Sequence, residues 1–211
     1  MSSTPPASRP NEPAPISEAE RAQSAQVGSV LFRHRGWLPV PFLLVPLLAH
    51  GVMGPMNWIL GAVLIVLGEA IRLAGVSAAG TVTRRRSRVV QRLVTYGIFA
   101  WMRNPLYVGN FLIWMGFTVI SGVFWFIPVA IVLFAVEYTL IVRYEEGVLE
   151  SIFGEEYLRY KSRTSRWIPR PPGDDEEGEH QWGEAWRSEV STFLQYIAIT
   201  AAFITKQRMS W

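Results

Sequence analysis

Apolar residues fall in four long runs: Trp37 to Met53, Met56 to Gly80, Leu106 to Gly122 and Val123 to Val142. Runs of this length match the roughly 20 apolar residues that carry a helix across a hydrocarbon core of about 30 Å. The first is near the short limit and holds Pro39, Pro41 and Pro46, so its early part is expected to be irregular. Gly51 to Pro55 and Ser121-Gly122 are short uncharged turns, so the runs pair into two helical hairpins, about 37–80 and 105–143. The pattern predicts an all-α, multi-pass membrane helical bundle.

The flanks differ in kind. Residues 1–30, rich in Pro, Ser and charge with no apolar core, read as a disordered tail and not as a signal peptide. Residues 31–170 form the expected membrane domain, with a basic segment at 81–104 between the hairpins. From 144 to 169, Leu149, Ile152, Phe153, Tyr157 and Tyr160 recur at helical spacing, and Gly154 breaks the pattern into two helices. Residues 171–183 read as an acidic linker. In the last element, 184–211, the uncharged stretch Ser191 to Thr205 is short for a span, and spanning would place Lys206 and Arg208 outside. Phe193, Leu194, Ile197, Ala201 and Ile204 make one stripe suited to lying flat. Ile199, Ala202 and Phe203 make the helix apolar nearly all round, which favours a fifth span packed on the others.

Charge sets the orientation. Arg33, Arg35, the Arg84 to Arg88 cluster, Arg92, Arg103 and the stretch from Arg143 to Arg170 all share the face away from the uncharged turns. Such asymmetry places that face in the cytoplasm, of an expected bacterial inner membrane. The net charge of +3 reflects topology and lipid headgroups, and no nucleic-acid partner is expected. There is no cysteine, which excludes disulfides, cysteine nucleophiles and cysteine-ligated metals.

Ionisable groups interrupt the apolar runs at Glu69, Arg72 and Glu137. Each costs roughly 2.5 to 3.5 kcal/mol at mid-membrane and calls for a partner or a polar cavity, although Glu137, one turn or more from Arg143, also reads as a structural residue near the interface. Glu69 and Arg72, three apart, share a helix face and read either as a self-neutralising pair or as an anchor for an anionic group. Glu145 and Glu146, expected just after the fourth helix, suit a ligand ammonium. Tyr107, Tyr157 and Tyr160 offer aromatic faces to a flat base or a sulfonium, or anchor the interface. Arg103-Asn104-Pro105 opens the third helix, with Pro105 in its first turn and Asn104 suited to capping. Such an N-terminus accepts a carboxylate or phosphate, and Gly109 permits close backbone approach.

In these residues the chain resembles the integral-membrane methyltransferases of the isoprenylcysteine carboxyl methyltransferase and phospholipid methyltransferase group. Their pattern is Gly-x-Tyr, Arg-His-Pro-x-Tyr-x-Gly, a hairpin, Glu-Glu, Phe-Gly-x-x-Tyr-x-x-Tyr and a terminal Ile-Pro. Here it reads Gly97-Ile98-Phe99, Arg103 to Gly109, Glu145-Glu146, Phe153 to Tyr160 and Ile168-Pro169, over about residues 60–170. Asn104 stands where the family has histidine, and Phe99 where it has tyrosine. The resemblance implies S-adenosylmethionine as methyl donor, bound in a cytoplasmic helical cofactor module without a Rossmann sheet. It implies a cofactor site of Arg103, Asn104, Pro105, Tyr107, Gly109, Glu145 and Glu146 closed over by Tyr157 and Tyr160. Arg143 and Glu146 are the expected catalytic residues, and the acceptor is expected to be a lipid or isoprenoid carboxylate or amine drawn from the bilayer. Two alternatives remain: an NADPH-dependent sterol-type reductase, which shares a similar Arg-His-Pro signature, and a non-catalytic membrane protein that keeps the fold.

Overall fold

The computed structural model describes residues 18–34, 39–80, 92–172 and 178–209. These form eight helices and no strand: α1 (Glu18–His34), α2 (Pro39–Leu48), α3 (Pro55–Ala79), α4 (Ile98–Trp101), α5 (Pro105–Ser121), α6 (Phe126–Phe153), α7 (Glu155–Arg163) and α8 (Trp182–Arg208). Helices α3 and α6 are long and apolar enough to cross a membrane, and α5 is a shorter apolar helix. Proline opens both α3 and α5, where its missing N–H costs nothing. Gly122 ends α5 in the left-handed conformation, with φ at 67°.

Helices α3 and α5 run antiparallel and meet through glycines. Gly61, Gly68 and Gly75 recur every seven residues on α3, facing Gly116, Gly109 and Leu106 of α5 in reverse order. A methyl group on Gly68 would lie 2.6 Å from the Gly109 carbonyl oxygen and 2.8 Å from an Ile113 side-chain carbon. A backbone neighbour cannot yield as a flexible side chain does. Gly68→Ala is therefore expected to cost about 1–3 kcal/mol through overpacking, read as a lower melting temperature in detergent.

Three expectations are corrected. The segment expected as a disordered tail contains most of α1, which packs along α6; Leu31 and Phe32 lie against Tyr138 and Ile141. Its stretch from Glu18 is free of proline, and the apolar residues near its end have a helix face to cover. Residues 1–17 lie outside the described part, as do Arg84 to Arg88. The early part of the first apolar run, expected to be irregular, is helical: α2 runs from Pro39 to Leu48 with Pro46 inside it, about 15 Å of helix. Glu145 and Glu146 do not follow the fourth helix but lie within it, because α6 continues to Phe153 and stops only at Gly154, where φ is 51°.

The C-terminal helix is not laid flat across one end of the bundle. It runs antiparallel to α3 along its whole length. At one end the Gln181 amide donates to the Ser77 carbonyl at 2.8 Å. At the other the Trp58 indole donates to Gln207 at 3.1 Å. Lys206, which counts against a span on charge alone, is buried and donates to the carbonyls of Pro46 and Ala49, both at 2.6 Å. Those oxygens belong to the end of α2, where helical carbonyls lack partners, so the ammonium acts as its cap.

Midway along, α8 completes a polar cluster in the interior. Arg72 donates to both oxygens of Glu189 at 3.1 and 3.2 Å, lies 3.5 Å from Glu69, and hydrogen-bonds Asn110 of α5. Tyr196 donates to Glu69 at 2.7 Å. The Glu69–Arg72 pair is therefore internal and is extended by a second carboxylate, Glu189, that has no exposed surface.

Candidate functional site

The site is built where the chain enters α5. Tyr96 donates to the carbonyls of Ala78 at 2.6 Å and Glu179 at 3.0 Å, which ties the turn before α4 to the end of α3 and the approach to α8. The strap from Thr164 to Arg170 then runs beside residues 101–103. Met102 and Ser165 form a parallel bridge, the Arg103 amide donates to the Ser165 carbonyl at 2.8 Å, and the Arg170 amide donates to the Trp101 carbonyl at 3.0 Å.

The Arg103 guanidinium is the hub of this arrangement. It donates to Glu146 at 3.0 Å and to the carbonyls of Lys161 at 2.7 Å and Thr164 at 2.6 Å. From the strap, Arg166 reaches the same carboxylate and donates to its two oxygens at 3.0 and 2.6 Å. Lys161 stands 3.7 Å from Glu146 and pairs with Glu150. Glu146, only 4% exposed, thus binds the start of α5, the body of α6 and the strap into one unit.

Next to it, Tyr107 donates to Glu145 at 2.9 Å, and its ring meets Tyr138 with centroids 4.7 Å apart. Glu145 keeps part of its surface exposed. Asn104 precedes α5 but makes no side-chain cap; its amide donates instead to the Arg166 carbonyl at 3.2 Å. This holds the strap against the helix start from which the first-turn N–H groups point. Asn104→Ala is expected to loosen the strap and lower the melting temperature, a hydrogen bond of this kind being worth about 0.5–1.5 kcal/mol. Asn104→His should retain more of the stability, and both effects can be read by thermal unfolding.

The expected site residues divide into groups. Arg103, Asn104, Tyr107, Glu145 and Glu146 come together around the start of α5. Pro105 is buried at the first position of that helix. Gly109 faces the α3 seam, where a methyl group would meet the Arg72 side chain at 2.6 Å. Tyr157 and Tyr160 are buried with Leu93, Leu149 and Phe153, and Tyr160 donates to the Phe99 carbonyl at 2.8 Å. Burial pushes both phenols well above their usual range, with the Glu146 charge adding to the effect on Tyr157. These two rings, expected to close over the site, are thus buried within the protein. Arg143 is exposed on α6, outside the Arg103 cluster. Sequence reasoning missed Arg166 and Lys161, reading the basic stretch from Arg143 to Arg170 only as a mark of topology. The buried partner of Arg103 was the missing signal.

Comparison with known proteins falls on the same stretch. Residues 56–156 match the family described as phospholipid methyltransferase. The Homo sapiens protein-S-isoprenylcysteine O-methyltransferase is 33% identical over 117 residues, which cover 52% of this chain and 40% of that protein. Protein-S-isoprenylcysteine O-methyltransferase A of Arabidopsis thaliana is 34% identical over 117 residues, 52% of this chain and 57% of that protein. The aligned stretch is thus between two fifths and three fifths of the length of these two relatives. The family match contains Arg103, Glu145 and Glu146 and ends before Arg166 and before α8. Through residues 56–156, just under half of the chain, it is similar to the phospholipid methyltransferase and isoprenylcysteine O-methyltransferase group.

Proposed function

We propose that this protein is an S-adenosylmethionine-dependent methyltransferase acting on a lipidic or isoprenoid acceptor at the cytoplasmic face of a membrane. The observation that carries this reading is the Arg103–Glu146–Arg166 cluster, which joins three separate segments beside the partly exposed Glu145. The multi-pass reading rests on antiparallel packing of α8 and α5 on α3, and on the apolar residues that α3 and α6 turn outward, among them Val63, Val66, Val132 and Val136. The cluster lies at the bundle end opposite the uncharged turns, which the basic-loop rule assigns to the cytoplasm.

The residues present fit the donor's amino-acid portion, which needs one anion and one cation close together. Glu145 would take the ammonium, and the partly exposed Arg166 and Lys161 would take the carboxylate. The α5 N-terminus adds its positive dipole end beside them. Bound there, the donor supplies a sulfonium-activated methyl group for in-line displacement. Arg103 and Glu146 hold the frame, so that alignment and water exclusion come from a fixed geometry. A carboxylate acceptor needs no base. An amine acceptor must lose a proton, and Glu145 is the better placed carboxylate for it, since Glu146 is engaged by two arginines. Arg143, exposed on the same helix, is left to meet the acceptor.

Calorimetry on detergent-purified protein is expected to show binding of S-adenosylmethionine and none of NADPH; the reverse result would overturn the reading. Labelled methyl transfer to an S-farnesylcysteine derivative, compared with a phospholipid amine, then separates the two acceptor classes. Binding without transfer to any lipid acceptor would point to a protein that keeps the fold without the reaction.

A further inference from the structure

The buried carboxylates Glu69, Glu146 and Glu189 are compensated from within the chain, whereas the partly exposed Glu137 has no such compensation among the described residues. Glu69 and Glu189 share Arg72, and Glu146 is held by Arg103 and Arg166. Glu137, in the apolar part of α6, has no hydrogen bond or ion pair among the described residues, and its Oε1 is shielded from solvent. It opens into a crevice between α2, α5 and α6, lined by Phe42, Trp114, Met115, Phe134 and Tyr138. About 10 Å³ of space remains there, room for one water-sized group. Leu133 and Val136, beside it on α6, are exposed on the apolar surface.

A carboxylate placed this deep calls for a partner. With none among the described residues, a partner can come from the surrounding phase. We propose that this crevice binds the primary ammonium group of a single-chain amphiphile that enters from the bilayer. The wall chemistry selects the occupant. A carboxylate among aromatic faces attracts a cation and repels phosphate. The narrow space admits an ammonium and excludes a trimethylammonium. Phe42, Trp114 and Phe134, which keep part of their surface exposed, offer the acyl chain apolar contact at the mouth of the crevice. The site is separate from the methyl-transfer centre: Glu137 precedes Glu145 by eight residues, about 12 Å along α6.

Carbodiimide coupling in detergent micelles tests this on the intact chain. The carboxyl oxygen of Glu137 adds to the carbodiimide carbon. The bound ammonium gives one proton to a carbodiimide nitrogen, and the amine so formed displaces the urea, forms the C–N bond and passes its second proton to the leaving urea. With dodecylamine, peptide mass spectrometry is expected to show a dodecyl amide on Glu137 in several-fold excess over exposed Glu156. Dodecyltrimethylammonium, which cannot couple, should leave amide formation by dodecylamine undiminished when added as a competitor. An unreactive Glu137, or only the rearranged acylurea regardless of dodecylamine, would overturn the proposal. So would a dodecyl ester formed from dodecanol in equal yield, which would mean that the crevice reads a hydroxyl.

Discussion

Glu146→Ala is expected to destabilise the protein by about 3–5 kcal/mol, because it leaves a nearly buried Arg103 without its counter-charge. The loss should appear as a marked drop in melting temperature, with donor affinity falling alongside it as the strap detaches from α5. Glu146→Gln should lie between the two, since an amide still accepts from one arginine but carries no charge. The physical source is the sharing of one carboxylate by three segments. Arg103 also holds the Lys161 and Thr164 carbonyls, so the end of α7 shifts once that guanidinium is freed. A Glu146→Ala protein that melts normally while losing the donor would show that this carboxylate binds ligand directly and does not hold the frame.

Arg72→Met is expected to cost a similar amount, about 3–5 kcal/mol, by stranding Glu69 and Glu189 in an apolar interior. The double variant Arg72→Met, Glu189→Gln should recover part of that loss, because it removes one stranded charge and keeps the shape. Thermal unfolding of the two variants in the same detergent measures the coupling. Equal melting temperatures for the single and double variants would mean that Glu189 carries no charge dependent on Arg72.

The same cluster explains how far the sequence could be read. Helices α3, α5 and α6 were legible because apolar runs, opening prolines and terminating glycines agree with one another, and the break at Gly154 was legible for the same reason. The last helix was ambiguous because its fit depends on distant groups. Glu189 is tolerable only opposite Arg72, more than a hundred positions earlier, and Lys206 only over the end of α2. Neither pairing leaves a local trace. Helix α1 was lost to the proline-rich composition just ahead of it. Arg103, Tyr107 and the two glutamates were singled out by motif and the fold brings them together, yet their separate partners were not legible. Only the fold shows that Arg166 returns to occupy Glu146 and leaves Glu145 the more accessible carboxylate. The reading of Asn104 as a cap failed because the strap carbonyl offers its amide a partner outside the helix.

The glycine contact between α3 and α5 also has a mechanical side. Where two backbones touch, no rotamer change can widen or narrow the gap, so the pair behaves as one stiff beam. The opposite flank of α5 is different: Tyr107 and Phe111 meet Tyr138 and Phe134 of α6 through rings. Rings turn and slide at modest cost. Any widening of the bundle is therefore concentrated at this compliant joint, while the α3 side of α5 keeps its spacing and the Arg72 cluster stays closed.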